Sequence, residues 1–309
     1  MIPILSICIP TYNRLEILRK TIESIYKDLR EVSLDEFEVI ISDNSAKSTA
    51  QSLVEEFSYN NLYYYATNCE GFMNSFYALS YGHGLFLKLN NNYTMFRAGT
   101  LHQLIEQLKC LKTDKIQVIY TNGLKQSRKV QSFFSFDQYI AGLSYLSSWS
   151  AGYGMWKEDF DRIKDKVTID KYFPQTSLLL TQYYKKKFII DDRIFFDDQH
   201  VPKKGGYDIF KVFSINFVKL IKKAYNDGTI SKGTLQKVKS DLLYKYLSSR
   251  YFKTVIAHLD NFEHHNIKKT ILTFYTYPQY LLMLFFSIIS PFMALYRKLI
   301  NLIYNKFKG

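Results

Sequence analysis

The chain has 309 residues, of which 47% are hydrophobic and 22% charged, a balance typical of a globular protein and not of a disordered one. Its three cysteines lack metal-binding or redox spacing, which argues against a zinc module or a disulfide framework and favours a reduced cytosolic protein. The formal net charge is +13, and residues 201–309 alone hold 18 Lys and Arg against 5 Asp and Glu, so the basic excess belongs to the second part of the chain.

The first 120 residues alternate strand and helix patterns. An apolar, β-branched run over residues 4–9 predicts a buried strand and not a secretory signal, because no basic segment precedes it. Further strands are predicted over 37–42, 61–65, 84–89 and 116–120, and helices over 15–29, from Ser48 through Phe57, over 73–80 and over 101–111. This alternation predicts a mostly parallel sheet covered by helices on both faces.

Beyond residue 130 the pattern is less regular. A helix is predicted over 174–184, a strand over 187–190, and two amphipathic helices over 209–225 and 234–248. We therefore expect an α/β domain over residues 1–205 and a basic helical region over residues 206–309.

Polar turns follow three of the predicted strands. Pro10, Asp43 and Asn90 each stand where a strand ends. In open parallel sheets, ligands bind at the carboxyl ends of the strands, so we expect these turns to form one site.

Four blocks of the sequence resemble a known family. They are LSICIPTYNR (5–14), FEVIISDNSAKST (37–49), NCEGFMNSFYALSYGHGLFLKLNNNYTMFRAGTL (68–101) and, more weakly, SSWSAGYGMWKEDF (147–160). Together they resemble the family 2 glycosyltransferases of bacterial surface-polysaccharide synthesis, closest to the abequosyltransferase-like and capsular enzymes. The resemblance implies a GT-A fold, which is a Rossmann-like α/β architecture, and a nucleotide-sugar donor.

The resemblance also implies which residues bind the donor. It places Pro10, Thr11 and Tyr12 around the base and Arg14 near the donor entrance. Asp43 is implied to hydrogen-bond the base or the ribose. Asn68 and Gly71 are implied to bring the backbone close to the nucleotide, and Asn74 to face it from a helix. A carboxylate at a strand end can accept hydrogen bonds from a base N–H or a ribose hydroxyl. The alternative for each residue is an ordinary role in a turn.

The sequence departs from the family at the metal-binding position. Where the family has an Asp-x-Asp cluster that holds Mg²⁺ or Mn²⁺, this chain has Asn90, Asn91 and Asn92, whose amide oxygens are neutral. Three hypotheses follow: a metal-independent enzyme in which Lys88, Arg97 or another cation neutralises the leaving group, a weak metal site completed by a distant carboxylate, or a domain that has lost catalysis.

The acceptor side is less defined. An inverting transfer needs a general base, and Asp170, just before the predicted helix over 174–184, is nearest to the place that the family implies. Trp149, Tyr153 and Trp156 are expected either to form a sugar-stacking acceptor platform or to pack in the core.

Residues 271–296 contain no charged side chain, and basic residues flank them on both sides. We expect a bent helix that lies on the anionic cytoplasmic face of the membrane; a spanning helix, or one packed on protein or in a homodimer, is the alternative. The basic excess adjoins this apolar run and no nucleic-acid module is recognised, so nucleic acid is not an expected partner.

These features predict an inverting glycosyltransferase that extends a lipid-linked saccharide in surface-polysaccharide synthesis. The alternative is a non-catalytic scaffold of the same fold.

Overall fold

The computed structural model describes residues 2–27, 29, 32–47, 50–202 and 205–306, with side chains described except at 290 and 293–306. Two compact units divide the chain, Met1–Val201 and Pro202–Gly309. The predicted helix start at Ser48 lies outside the described residues.

The first unit alternates strands and helices. Its strands are β1 Leu5–Thr11, β2 Phe37–Asp43, β3 Leu62–Ala66, β4 Phe86–Leu89, β5 Thr94–Phe96, β6 Gln117–Tyr120, β7 Val130–Phe133, β8 Gly154–Trp156, β9 Phe188–Asp191 and β10 Phe196–Asp198. Its helices are α1 Leu15–Tyr26, α2 Gln51–Phe57, α3 Asn74–Ser80, α4 Thr100–Leu111, α5 Phe136–Leu143, α6 Lys157–Ile163 and α7 Pro174–Leu180.

The main sheet has five strands in the order β3-β2-β1-β4-β8. The first four are parallel, and β8 runs antiparallel to β4 at the edge. The strand predicted over 116–120 exists as β6 but belongs to a separate sheet in the order β6-β9-β7. The sheet is therefore more mixed than predicted, because an apolar run indicates a buried strand but does not specify its partner.

The core of this unit lies against the main sheet. Every residue of β2 is buried, as expected for a parallel strand with both faces covered. Helix α1 buries Leu18, Ile22 and Ile25, and α4 buries Leu104 and Leu108, at the spacing of one helical face. This packing fixes the strand ends that carry the site.

The second unit is mainly helical. It contains β11 Gly205–Asp208, α8 Ile209–Lys211, α9 Val218–Asn226, α10 Lys232–Asp241, α11 Ser248–Tyr251, β12 Asn261–Glu263, α12 Ile267–Leu272 and α13 Tyr277–Lys306. Two π-helical segments, Val212–Phe217 and Leu242–Leu247, join α8 to α9 and α10 to α11, and a third, Phe252–Ile256, extends α11.

Helix α13 covers most of the predicted apolar segment and continues through Pro291. Leu281, Phe285, Ile288 and Phe292 form an exposed apolar stripe on it, with exposed fractions of 48%, 56%, 60% and 68%. None of the helices in the described ranges combines the length and the hydrophobicity that a membrane span requires.

Candidate functional site

The turns that follow β1 and β2 are joined by one buried side chain. The Asn74 amide nitrogen donates to the carbonyl oxygens of Thr11 and Ser42 at 3.1 and 2.9 Å, and its oxygen accepts from the Ser42 hydroxyl at 2.6 Å. Asn74 is 3% exposed, so it faces these strand ends and not open space. Asn74 therefore holds the two turns in place, and its position facing the nucleotide stays a prediction.

Asp43 organises the turn after β2. One carboxylate oxygen accepts from the Ser45 backbone N–H at 2.9 Å, and the other accepts from the Ala50 backbone N–H at 3.2 Å. The residue is 1% exposed. These contacts give Asp43 the turn-forming role that the sequence left as an alternative, and its contact with a base or ribose stays a prediction.

The turn between β3 and α3 lies beside the first two. Asn44 donates from its amide to the Cys69 carbonyl at 3.1 Å, which ties this turn to the end of β2. Asn68 is exposed, and Gly71 has φ +52° with nothing within 4 Å of an added Cβ. Gly71 is therefore required by its left-handed backbone and not by crowding, and the space beside it is open to a ligand.

Tyr12 is the exposed aromatic of the first turn. It is 58% exposed, whereas Thr11 is buried and Pro10 is half-buried. The backbone N–H of Asn13 donates to the Ser45 hydroxyl at 2.7 Å, which fixes the Tyr12 turn to the Asp43 turn. An exposed ring on a fixed turn offers a face on which a base can stack.

The three asparagines form the turn between β4 and β5. Asn92 donates from its amide nitrogen to the Thr11 hydroxyl at 3.0 Å, which brings this turn to the end of β1. Asn91 accepts from the Ser150 hydroxyl at 2.8 Å, and Asn90 donates to the Thr94 carbonyl at 2.7 Å. The asparagine turn therefore joins the predicted donor residues, as expected for a strand end at this edge.

These asparagines do not fit a divalent metal ion. The Asn90 amide oxygen is buried without a hydrogen-bond partner, and those of Asn91 and Asn92 accept from Ser150 and Arg14. Among the described residues, no three His, Cys, Asp or Glu side chains converge where they could hold a metal ion. Neutral amide oxygens that are enclosed or already occupied are a poor set for a hard cation that prefers carboxylates.

The two cations named from the sequence are both engaged elsewhere. Lys88 is fully buried, and its ammonium donates to the carbonyl oxygens of Leu89 at 3.0 Å and Ala151 at 2.8 Å. It lies 4.2 Å from the centre of the Phe196 ring, and burial lowers its pKa to about 7. Arg97 makes a bidentate ion pair with Asp197. Lys88 is therefore enclosed and Arg97 is already paired with a carboxylate, which argues against either one as the cation that neutralises the leaving group.

Two of the three predicted acceptor aromatics belong to the core. Tyr153 is 1% exposed and Trp156 is 2% exposed, and the Trp156 indole N–H donates to the Ile116 carbonyl at 2.9 Å. Because neither ring has a free face, they pack and do not stack on a sugar. Trp149 is half-buried and stays a predicted acceptor residue. Its neighbour Ser150 contacts the asparagine turn, which places this segment beside the donor residues.

Asp170 lies in the turn before α7. One of its carboxylate oxygens accepts from the backbone N–H groups of Tyr172 and Phe173 at 2.8 and 3.1 Å. The other has no partner among the described residues. The Tyr172 ring lies 6.4 Å from the Phe72 ring, next to Gly71, so Asp170 is near the donor turns. Its role as general base stays a prediction.

Sequence reasoning missed several residues that connect the turns. Asn44 and Ser45 were inside a matched block, directly after Asp43, and that adjacency was the available signal. Ser150 was inside the weakly matched block 147–160, but nothing there indicated its contact with Asn91, 59 residues away. Thr21, whose hydroxyl donates to the Asn92 carbonyl at 2.9 Å, carried no signal, because that partner is 71 residues away in the chain.

Comparison with known proteins connects this edge of the sheet to a family. Residues 6–78 match the family model described as Glycosyl transferase family 2, which spans β1 through most of α3. No curated protein matches the chain.

The fold is similar to solved structures at low sequence identity. S. aureus TarS 1-349 aligns over 92% of this chain and 80% of that one, with 13% identity and a TM-score of 0.56. In complex with UDP-GlcNAc, the same fragment aligns over 82% of this chain and 76% of that one, at 16% identity and a TM-score of 0.55. This chain covers 43% of the longer TarS structure. The mannosyltransferase PcManGT from Pyrobaculum calidifontis, in complex with GDP-Man and Mn²⁺, aligns over 96% of this chain and 88% of that one, at 14% identity and a TM-score of 0.56.

These likenesses confirm a GT-A-like α/β fold with a mixed sheet flanked by helices. The resemblance to abequosyltransferase-like and capsular enzymes in particular stays a prediction.

Proposed function

We propose that this chain is an inverting glycosyltransferase that uses a nucleotide-sugar donor. The observation that carries the proposal is the convergence of four turns at the carboxyl edge of the main sheet, within and beside the segment that matches the glycosyltransferase family model. Structures of similar fold bind UDP-GlcNAc or GDP-Man, which supports this class of donor.

The reaction needs two events at the anomeric carbon of the donor sugar. The acceptor oxygen forms a bond to that carbon on one face while the bond to the diphosphate oxygen breaks on the other. The nucleoside diphosphate leaves with the electron pair, and the acceptor hydroxyl loses its proton to a general base, for which Asp170 is the proposed group. Tyr12 would stack on the base, and the open backbone at Gly71 would lie beside the nucleotide.

The proposed acceptor is a lipid-linked saccharide at the cytoplasmic face of a membrane, as in surface-polysaccharide synthesis. The exposed stripe of α13 supports this, because an apolar helix face beside basic residues such as Lys268 and Lys269 suits an anionic lipid surface. Binding to vesicles of phosphatidylcholine with and without phosphatidylglycerol tests it.

In this test Phe285→Glu should reduce vesicle sedimentation several-fold. Phe134→Glu removes an equally large ring that is 73% exposed in the first unit, and it should leave sedimentation unchanged. Equal vesicle binding by wild type and Phe285→Glu would contradict the membrane proposal.

Nucleotide binding tests the donor proposal. Calorimetric titration with UDP, GDP, CDP and dTDP should give saturable binding for at least one of them. If none of the four nucleotides binds, the proposal that the chain is a glycosyltransferase is refuted.

A second candidate, a non-catalytic scaffold of this fold, is favoured by the asparagine turn alone. It predicts that the chain releases no nucleoside diphosphate from any sugar nucleotide, whether or not it binds one.

A further inference from the structure

Among the described residues at this edge, one cation contacts the asparagine turn. The Arg14 guanidinium lies 3.5 Å from the Asn92 amide oxygen through its Nη1 atom. Arg14 is half-buried between the end of β1 and the start of α1, and its remaining donors have no partner among the described residues. A guanidinium carries five N–H donors in a planar fork, so most of them are available to a ligand.

The contact stands where a metal ion would be expected. A carboxylate at position 92 would bind a divalent cation, which would bridge the phosphate oxygens of the donor. Here position 92 is an amide that accepts from a permanent cation instead. The amide holds the guanidinium without neutralising it, whereas a carboxylate would form an ion pair and reduce its attraction for phosphate.

Other cations near these turns are less suited to the task. Lys47, on the turn after Asp43, and Lys171, beside Tyr172, are exposed and make no hydrogen bond to the three asparagines. Lys88 is enclosed, as described above. Arg14 is thus the positive group that this edge places against the asparagine turn.

We propose that Arg14 takes the place of the metal ion, binding the donor diphosphate and neutralising the charge that develops on it as it leaves. This inference rests on the proposed function. In the transfer step, the bond between the anomeric carbon and the diphosphate oxygen breaks, and the added negative charge on that oxygen is stabilised by bidentate hydrogen bonds from the guanidinium. No divalent cation takes part.

The experiment is calorimetric titration of the full chain with the nucleoside diphosphate that it binds, in EDTA and in Mn²⁺. Wild type should bind equally well in both. Arg14→Gln should weaken binding about tenfold to a hundredfold, as expected for the loss of charge-assisted hydrogen bonds. The affinity of Arg14→Lys should lie between those of wild type and Arg14→Gln, because lysine keeps the positive charge but cannot make the bidentate hydrogen bonds of a guanidinium. Lys20→Gln, which removes an exposed charge on α1, the helix that follows Arg14, should bind like wild type.

A second variant distinguishes diphosphate binding by Arg14 from binding through a divalent metal ion. Asn92→Asp should weaken binding in EDTA, because the new carboxylate pairs with Arg14, and Mn²⁺ should not raise its affinity above that of wild type. Binding by wild type that requires Mn²⁺, or unchanged binding by Arg14→Gln, would overturn the inference and leave the transferase proposal standing. No binding of any nucleotide by the folded wild type would overturn both.

Discussion

The buried ammonium of Lys88 makes the stability of the first unit depend on pH, and its lowered pKa sets the direction of that dependence. Its ammonium is fully buried, and desolvation lowers its pKa from 10.5 to about 7. Between these two values the unfolded chain binds the proton and the folded chain does not, so the free energy of unfolding rises with pH in that window. For one such site the rise from pH 6 to pH 9 is about 3 kcal/mol.

The assay is urea unfolding at pH 6 and pH 9, followed by tryptophan fluorescence. Both tryptophans of the chain, Trp149 and Trp156, lie in the first unit, so the signal reports that unit. Lys88→Met keeps the length and packing of the side chain and removes the charge. Its free energy of unfolding should rise by about 3 kcal/mol less than that of wild type between the two pH values.

Two comparisons separate the effect of Lys88 on the free energy of unfolding from the effects of other titrating groups. Burial also raises the pKa of the Cys8 thiol, which acts in the opposite direction, but Cys8 is present in both proteins and largely cancels in the difference. Lys112→Met removes an exposed lysine and should follow the wild-type pH dependence. If the free energies of unfolding of Lys88→Met and wild type change in parallel between pH 6 and pH 9, the buried ammonium is not the source of the pH dependence.

Three further variants test the site. Asn74→Ala should lower the free energy of unfolding by about 2–4 kcal/mol, because it removes the buried amide that bonds to the Thr11 and Ser42 carbonyls and leaves the Ser42 hydroxyl without its acceptor. A free energy of unfolding equal to that of wild type would contradict its connecting role. Gly71→Ala should cost about 1 kcal/mol through its left-handed backbone, and unfolding curves should show this without loss of fold. Tyr12→Ala should weaken nucleotide binding by about 1–3 kcal/mol in calorimetry while leaving stability within about 0.5 kcal/mol of wild type, since the ring is exposed. Unaltered affinity in Tyr12→Ala would exclude stacking on this ring.

The sequence predicted the strand ends well because their signals are local. An apolar run that stops at Pro10 or Asp43 marks both the strand and its end, and parallel strands bring such ends to one edge. The positions of β1, β2 and β4 are therefore close to the predicted ones, and the turns meet as expected.

What the sequence could not specify depends on long-range partners. Lysine is a residue type that can bind phosphate, but Lys88 is enclosed by Ala151 and Phe196, which are distant in the chain. Tyr153 and Trp156 have side chains suited to sugar stacking or to a core, and the antiparallel pairing of β8 with β4 decides for the core. No local sequence pattern predicts that pairing.

The asparagine turn shows the same limit. The family resemblance put the metal site in doubt, because three amides stand where the family has carboxylates, but only the fold shows that Arg14 lies against Asn92. The contact joins residues from two turns whose proximity follows from strand order and not from sequence spacing.

The central claim is transfer from a sugar nucleotide, and release of nucleoside diphosphate measures it most directly. The purified 309-residue chain is incubated in EDTA with UDP-, GDP-, CDP- and dTDP-sugars, with and without a lipid-linked saccharide fraction as acceptor. We expect release from at least one donor, stimulated by acceptor and reduced at least tenfold in Arg14→Gln. Folded protein that releases nothing from any donor, in EDTA or in Mn²⁺, would contradict it.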